Sequence, residues 1–362
     1  MARHSRVRLA DVAQLVGVST TTASRALNGR GEISDATRAA VLEAADRLGF
    51  RPSPFAQSLQ SRRSNTVGLI VPNVAHHFYA TIVQGAQSYL KEAGYQLVLI
   101  DSGEDAEGVA DAIDTLIGHW VDGIMITTTP FTAVGFSDLL NGTPCVFIDE
   151  TVEGVGAGSI TLENSEGVAL LVDHLAETHA HKRIAFLGGR PDRTDGRERR
   201  EGFLNAMARR GLLVAPEHVS EGEWSVRSGV EQTLHQIDLA TPPTALIAAS
   251  SELALGALAA ARSRGLRLPD DMAIVSFDDP EVGALLEPAL TAITYDTLAM
   301  GERSARLLVA AFDNESAPFN DVRLPVSLVT RRSCGCEFDT LQALKHAGFD
   351  DPRGRVTSPS PS

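Results

Sequence analysis

Residues 9–28 read LADVAQLVGVSTTTASRALN, and their spacing predicts two short helices joined by a glycine turn. Four apolar residues of the first half follow the i, i+3, i+4, i+7 spacing of one helix face: Leu9, Val12, Ala13 and Val16. Gly17 ends this helix and supplies the turn. Ser19 is a good N-cap for a second helix that runs to about Asn28, because its hydroxyl can accept a backbone N–H of the first turn.

A third helix is predicted immediately afterwards. Ser34 is its N-cap and Gly49 follows its last residue, as glycine commonly does at a helix end. Its predicted core contacts are Val41, Leu42, Ala45 and Leu48. The three helices together form an all-α head of about 50 residues.

This head is basic, although the whole chain of 362 residues carries a net charge of −14. Residues 1–63 contain ten arginines and five acidic residues, which gives them a net charge of +5 and leaves −19 on the remainder. Phosphate repels an acidic body and attracts a basic head. We therefore expect only the head to face nucleic acid.

After the proline-containing segment 51–54 the pattern changes to alternating strands and helices. Helices are predicted at 79–93 and 199–210, among others. The predicted strands are Val67–Val71, Gln96–Ile100, Gly123–Thr127, Cys145–Ile148, Ile184–Leu187, Ala245–Ala248 and Ala273–Phe277. This alternation predicts doubly wound parallel sheets of the α/β class.

Two stretches of the chain share one order of elements, which suggests two similar lobes. Residues 67–95 and 184–211 each present a strand, a loop, a helix and a glycine. Ligands of such sheets bind at the carboxyl ends of the strands, so the predicted ligand site is the cleft between the lobes.

Composition narrows the class of protein further. The mean hydropathy is −0.01, and no apolar run is long enough to span a membrane. The basic, polar residues 1–10 do not predict a secretory signal, and three cysteines are too few for a disulfide scaffold. We expect a cytoplasmic protein with no membrane partner, and a disordered tail over residues 337–362.

The chain resembles the lactose/galactose repressor (LacI/GalR) family. Residues 9–28 carry the strongest match, and further matches are RP at 51–52, AQSL at 56–59, VGLIVP at 67–72, VDGI at 121–124, SFDD at 276–279, PALT at 288–291 and RRS at 331–333. The resemblance implies a helix-turn-helix DNA-binding head (1–51), a hinge (52–65) and a two-lobed, periplasmic-binding-protein-like sensor that binds an effector and dimerises (66–336). It also implies a homodimer that binds a pseudo-palindromic operator, and a small effector that changes DNA affinity.

In this resemblance the second helix enters the major groove of DNA. Thr20 and Thr21 occupy the family's specificity positions, and Arg25 is predicted to bind a guanine through O6 and N7. The residues predicted to contact phosphates are Ser19, Thr22 and Asn28. The alternative is that residues 20–22 only begin a helix.

Leu59 is predicted to wedge into the central minor groove of the operator, with Ala56 on the same face of a short hinge helix. The alternative is that Leu59 packs on the sensor. The head departs from the family at Arg8, where a threonine N-cap is usual, so we expect a slightly frayed first helix.

Nine residues are predicted to line the effector cleft. They are Phe78, Tyr79, Asp149, Arg193, Asp195, Arg199, Trp224, Ser250 and Asp278. Each follows a predicted strand or matches a cleft position of the family. Glu150 replaces the family's aromatic residue, and Ser250 replaces its asparagine, so the effector cannot be copied from a relative. A polar effector, such as a sugar or sugar derivative, is expected.

Two alternatives within the cleft stay open. One of the two aromatic residues, Phe78 or Tyr79, can belong to the core instead. Arg199 and Asp278 can form a salt bridge across an empty cleft rather than contact a ligand.

Neither a metal site nor a cofactor is predicted. The spacings His76-His77 and His179-x-His181 form no site by themselves, and Cys334-Gly335-Cys336 is too close for an ordinary zinc half-site. This last motif is interpreted as a chain end that can be sensitive to oxidation.

Two other classes of protein were weighed against a regulator. Gly188-Gly189 is not a GxGxxG motif, and no phosphate-binding GxxxxGK(S/T) or catalytic triad order stands out, so an enzyme is not expected. A periplasmic solute-binding protein would share the lobes, but it would lack residues 9–28. The sequence thus predicts an effector-responsive transcription regulator that acts as a repressor.

Overall fold

The computed structural model describes residues 7–28, 32–50, 63–103, 105–127, 133–312 and 320–338. Its contacts divide the chain into two units. One comprises Met1–Thr66 with Trp120–Asp122, and the other Val67–His119 with Gly123–Ser362. The predicted hinge residues Ala56 and Leu59, and the tail beyond Phe338, lie outside the described residues.

The head consists of three helices around a small apolar core. They are α1 (Leu9–Val16), α2 (Thr20–Leu27) and α3 (Asp35–Leu48). The Ser19 and Ser34 hydroxyls accept the amides of Thr22 and Thr37 at 3.0 and 3.2 Å, as predicted for N-caps. Gly17 and Gly49 adopt left-handed backbone conformations after α1 and α3, which confirms both predicted helix ends.

One predicted core contact of α3 is wrong. Leu42 is 49 % exposed, whereas Ala44 is buried beside Val41 and Ala45. Successive helical residues are rotated by about 100°, so a face that contains 41, 45 and 48 also contains 44 and turns 42 toward solvent. At α1 the Asp11 carboxylate accepts the amide of Arg8 at 2.7 Å, so the departure at Arg8 still leaves this amide with a partner.

The first lobe of the sensor is built on a six-stranded sheet. Its strands are β1 (Thr66–Val71), β2 (Gln96–Asp101), β3 (Gly123–Ile126), β4 (Cys145–Ile148), β5 (Gly158–Leu162) and β11 (Asn320–Leu324), in the order β11-β5-β4-β3-β1-β2. The helices of this part of the chain are α4 (His77–Glu92), α5 (Ala106–Gly118), α6 (Ala133–Leu140) and α11 (Thr297–Ala311).

The second lobe repeats this arrangement. Its strands are β6 (Ile184–Leu187), β7 (Val219–Ser220), β8 (Ala245–Ala248), β9 (Ala273–Phe277), β10 (Thr291–Thr294) and β12 (Ser327–Val329), in the order β12-β10-β9-β8-β6-β7. Only β12 runs antiparallel to its neighbour β10. The helices are α7 (Asn164–Glu177), α8 (Thr194–Arg209), α9 (Val226–Ile237) and α10 (Ser251–Ser263), with short 3-10 turns at Pro216–His218, Gly283–Leu285 and Arg332–Cys334.

The chain crosses between the lobes three times, after β5, β10 and β11. All seven predicted strands are present, within one residue of their predicted ends. The sequence did not predict β5, β7, β10, β11 or β12, of which β7 and β12 have only two and three residues. The order of each sheet reverses beside its first strand, and the carboxyl ends at that switch point are where such folds bind ligands.

Among the described residues, the helices are all too short or too polar to pass through a lipid bilayer.

We expect Ser34→Ala to weaken the head, because it removes the acceptor for the Thr37 amide. The expected loss is about 1 kcal/mol, or roughly a fivefold loss of hydrogen-exchange protection in α3. Exchange measured by mass spectrometry on the full chain tests this. Ser34→Asp keeps an acceptor at the cap and should retain protection; an equal loss in both variants would contradict the capping role.

Candidate functional site

The outer face of α2 carries side chains with no intramolecular role. Thr20, Thr21 and Arg25 are exposed, and within the described residues their side chains make no hydrogen bond or ion pair. An arginine and two hydroxyls on one exposed helix are the donors and acceptors that major-groove recognition uses. All three residues predicted to read bases are thus accessible, and their role stays a prediction.

The three predicted phosphate contacts are placed differently. The Ser19 hydroxyl caps α2 and lies 2.8 Å from the Thr22 hydroxyl, so these two groups already bond to each other. Asn28 follows the last residue of α2, and its amide nitrogen lies 3.4 Å from the Ser24 hydroxyl. The threonine run therefore does begin a helix, as the alternative interpretation held, and the Thr22 hydroxyl is bonded at its start. The side chains of Thr20 and Thr21 make no hydrogen bond within the described residues.

Between the two lobes lies a cavity of about 90 Å³. It is lined by Asn73, His76, Phe78, Tyr79, Asp149, Asp195, Arg199, Trp224, Ser250, Glu252, Asp278 and Tyr295. Eight of the nine predicted cleft residues are among them. They converge because each follows a parallel strand, and the carboxyl ends of those strands share one edge of their sheet.

Arg193 is the ninth predicted residue, and it lies beside this cavity rather than in its wall. Its Nε atom pairs with the Glu150 carboxylate at 2.7 Å, and both side chains are nearly inaccessible. Glu150 also accepts the amide of Thr194 at 3.1 Å. Because Glu150 belongs to the first lobe and Arg193 to the second, the pair bridges the lobes. Glu150 is thus an inter-lobe residue, and with Arg193 it lines a small pocket of about 20 Å³ next to the cavity.

Arg199 is the cation of the cavity, and its side chain is 3 % exposed. Its Nε atom donates to the Asn164 amide oxygen at 2.8 Å, and Nη1 donates to the Ala249 carbonyl at 2.7 Å. The guanidinium lies 3.8 Å from the Phe277 ring centroid, which adds a cation–π contact. These bonds fix the position of a charge that a ligand can use.

Asp278 lies 3.8 Å from Arg199 and accepts the Tyr295 hydroxyl at 2.6 Å. Arg199 and Asp278 both belong to the second lobe, so their contact lies within that lobe and does not cross the cleft. Burial raises the pKa of the Asp278 carboxyl above its usual value, although Arg199 and Tyr295 oppose this shift. Asp278 thus offers a ligand an acceptor that is held on two sides.

Asp149 is the least satisfied group in the cavity. Its Oδ1 atom is enclosed and makes no hydrogen bond within the described residues. Burial, and then the nearby charge of Asp195, raise the pKa of Asp149 well above its usual range. A buried polar atom without a partner is rare, and it points to a ligand or water that completes the site.

The aromatic wall comes from both lobes. Phe78 and Tyr79 contact each other edge-on, with ring centroids 5.1 Å apart, and both line the cavity. Both also pack on the core, so neither is a core residue alone. From the second lobe, the Trp224 ring covers Gly189: a Cβ atom at 189 would lie 2.1 Å from it. The glycine pair after β6 therefore makes room for an aromatic wall and does not cradle a phosphate.

Four of the lining residues were not predicted from the sequence to line the cleft: Asn73, His76, Glu252 and Tyr295. Each lies within six residues of the end of a strand, which was the available signal. His76 Nε2 contacts the Glu252 carboxylate at 2.6 Å, a second bridge between the lobes. Next to it opens a groove of about 840 Å³ that shares five lining residues with the cavity.

We expect Gly189→Ala to displace the Trp224 ring, because the new Cβ atom cannot share its space. In a Trp120→Phe background Trp224 is the only tryptophan, and its fluorescence should shift to the red as the ring meets water. Gly118→Ala is the control, since a Cβ atom there meets nothing within 4 Å. An unchanged spectrum in Gly189→Ala would contradict the packing.

Comparison with known proteins agrees with this geometry. Residues 8–53 match the family described as bacterial regulatory proteins, lacI family, and residues 172–334 match a periplasmic binding protein-like domain. The structure is similar to that of the Lac repressor dimer bound to operator and the anti-inducer ONPF. The TM-score is 0.82 and the identity 28 %, over 91 % of this chain and 99 % of that one.

Among curated proteins, the chain is 32 % identical to the HTH-type transcriptional repressor PurR of Actinobacillus pleuropneumoniae, over 89 % of this chain and 97 % of the relative. It is 29 % identical to catabolite control protein A of Priestia megaterium, over 90 % and 99 %. These relatives are transcription regulators and not enzymes. The head, the two lobes and these full-length similarities together show that the chain belongs to the LacI family of DNA-binding transcriptional regulators.

Proposed function

We propose that this chain is a repressor that binds a pseudo-palindromic operator as a homodimer and responds to a neutral, polyhydroxylated effector, a sugar or sugar derivative. The observation that carries the proposal is the pairing of two sites in one chain. The exposed face of α2 presents Thr20, Thr21 and Arg25, and the inter-lobe cavity presents an unsatisfied carboxyl group at Asp149. Because its target is chromosomal DNA, the protein acts in the cytoplasm, at the nucleoid.

The proposed domains follow the distribution of charge along the chain, which is basic in the head and acidic in the remainder. Residues 1–51 form the DNA-binding domain, residues 52–65 the hinge, and residues 66–336 the acidic effector-binding and dimerisation domain. In this scheme Leu59 of each subunit enters the central minor groove beside Ala56, and the effector changes whether the two leucines meet there. A structure of the Lac repressor, a relative of this chain, is of a dimer bound to operator.

We expect Arg25→Ala to lower specific operator affinity about 5- to 150-fold, the range for loss of one bidentate base contact. Operator sites are first selected from sheared genomic DNA with the wild-type protein, and a pseudo-palindrome should emerge. Fluorescence anisotropy then compares the selected site with a scrambled one.

Arg47→Ala is the matched control, because it removes an exposed arginine from α3 instead of α2. It should change binding to the selected and scrambled sites alike, with little loss of specificity. Equal loss of specificity in both variants, or the absence of any selected motif at low salt, would contradict the assignment of α2 as the reading helix.

The charges of the cavity favour a neutral effector. Four acidic residues line it, Asp149, Asp195, Glu252 and Asp278, against the single guanidinium of Arg199. Carboxylates accept hydrogen bonds from sugar hydroxyls, and the aromatic rings supply flat apolar surfaces. An added anion would be repelled by the acidic groups and would compete with Asp278 for Arg199.

The cavity of about 90 Å³ is smaller than the 300–1,000 Å³ of ordinary ligand sites, so binding must widen it. The bridges Glu150–Arg193 and His76–Glu252 are the contacts that such a movement has to rearrange. The transcriptional regulator CelR is 33 % identical to this chain over 91 % of this chain, and its structure was determined as a complex with cellobiose.

We expect calorimetry with neutral mono- and disaccharides and their phosphate esters to find binding only among the neutral sugars. Asp278→Asn should weaken that binding about 10- to 150-fold, since it removes a charged hydrogen-bond acceptor. Asp111→Asn, at an exposed carboxylate of α5 that lines neither the cavity nor the groove beside it, is the control and should bind like the wild type. The same sugar should also change operator affinity in the anisotropy assay.

Tyr295→Phe is a second variant in case Asp278→Asn fails to fold, and it should also weaken binding by freeing the Asp278 carboxylate. Tighter binding of a phosphate ester than of its parent sugar would overturn the neutral-effector proposal while leaving DNA recognition untouched.

A further inference from the structure

Four side chains that the sequence places far apart meet at one point of the second lobe, away from the cavity. They are His174, His179, Cys334 and Cys336, and one ligand atom from each lies within 4.8 Å of all the others. None of the four lines the inter-lobe cavity. In sequence, His179 stood out only with His181, Cys334 only with Cys336, and His174 not at all, so no metal site was predicted; the fold brings the four residues together.

Three of the distances between these atoms fall in the range of a tetrahedral zinc site. His174 Nε2 lies 3.3 Å from Cys334 Sγ and 3.6 Å from Cys336 Sγ, and Cys336 Sγ lies 3.4 Å from His179 Nε2. Bonds of about 2.3 Å to sulfur and about 2.0 Å to nitrogen, at tetrahedral angles, separate neighbouring ligand atoms by roughly 3.3–3.8 Å. These three distances match that range, and all four ligand atoms lie close enough together to bind one ion.

Local backbone geometry explains how so short a motif supplies two ligands. Cys334 ends the 3-10 turn Arg332–Cys334, and Gly335 follows with φ of 103°, in the left-handed region. This reversal turns both thiols of the C-x-C motif toward the histidines. On the other side, His174 lies in the last turn of α7 and His179 follows in the loop after the helix.

The surroundings suit a structural ion rather than a catalytic one. Cys334 is buried, and the other three side chains are partly buried. The Thr291 hydroxyl lies 3.0 Å from Cys334 Sγ, where it can donate a hydrogen bond to a metal-bound thiolate. Four protein ligands fill a tetrahedron, so no position remains for water or substrate.

We propose that these four residues bind one structural Zn²⁺ ion in a Cys₂His₂ site. Each cysteine gives up its thiol proton to solvent on binding, and each histidine donates the lone pair of its Nε2 atom. The ion joins the end of α7 to the C-x-C motif at Cys336, and so ties the turn Arg332–Cys334 to α7 of the second lobe. Zinc is the divalent ion that two thiolates and two imidazoles in a tetrahedron favour.

The test uses the full-length protein produced in zinc-supplemented medium under reducing conditions. Mass spectrometry of the native protein and elemental analysis should find one zinc ion per chain. After chelation and reconstitution with Co²⁺, the protein should show a thiolate-to-cobalt charge-transfer band and the d–d bands of a tetrahedral ion. Chelation should lower the Tm by several degrees, and added zinc should restore it.

The variants Cys336→Ser and His179→Asn remove one ligand each. Both should lose the ion, the cobalt spectrum and the effect of chelator on Tm. Cys145→Ala and His181→Asn are matched controls, because Cys145 lies in β4 and His181 bonds to Thr244 instead of pointing at the cluster. Both controls should keep one zinc per chain.

Several outcomes would overturn the site. They are a metal-free protein from zinc-replete cells with no cobalt charge-transfer band, metal content that stays unchanged in Cys336→Ser and His179→Asn, or a Cys334–Cys336 disulfide in place of metal in the freshly reduced and purified chain. None of these results bears on DNA or effector binding, so the zinc site is tested independently of the proposed function.

Discussion

The buried guanidinium of Arg199 contacts three separate segments of the second lobe. It bonds to Asn164 at the start of α7, to the Ala249 carbonyl after β8, and lies against Phe277 and Asp278 at the end of β9. Burying a charged group lowers the stability of the fold unless hydrogen bonds and opposite charges compensate for its lost hydration. Satisfying that one group holds together the start of α7, the end of β8 and the end of β9, and among its partners Asp278 also lines the cavity.

The same constraint links the cleft to the crossings between the lobes. Asn164 follows β5 at the first crossing, and its amide also donates to Glu198, which forms two hydrogen bonds with Arg323 of β11. Together with Glu150–Arg193 and His76–Glu252, these contacts lie on both sides of the line where the lobes meet. A ligand that rearranges them shifts the balance between lobe arrangements by its difference in affinity for each. The segment that precedes β1 is held by Asp122, which accepts hydrogen bonds from Ser64 and Asn65.

The structure explains residues that depart from the family pattern or that local motifs left unassigned. Glu150 stands where an aromatic residue is usual in the family, and in sequence this argued against copying the effector from a relative; in the structure its carboxylate pairs with Arg193 and accepts the Thr194 amide at the start of α8. Gly188-Gly189 was dismissed as a nucleotide motif, correctly, and the reason is now specific: the Trp224 ring occupies the space beside Gly189. The cysteine pair near the chain end, which was interpreted as sensitive to oxidation, acquires two histidine neighbours.

The sequence by itself determined the elements with strong periodicity and strong punctuation. These are the three head helices, two of them with serine caps, and the seven apolar strands, since local spacing and capping chemistry depend on neighbouring residues. The eight cavity residues came from strand ends together with the family resemblance. The short strands β7 and β12 could not be predicted, because two or three residues carry no periodicity. Tertiary structure alone decided that Arg193 bridges the lobes instead of lining the cavity, and that His174 meets Cys334 across 160 residues of sequence. Such contacts depend on the order and twist of whole sheets, which no local pattern encodes.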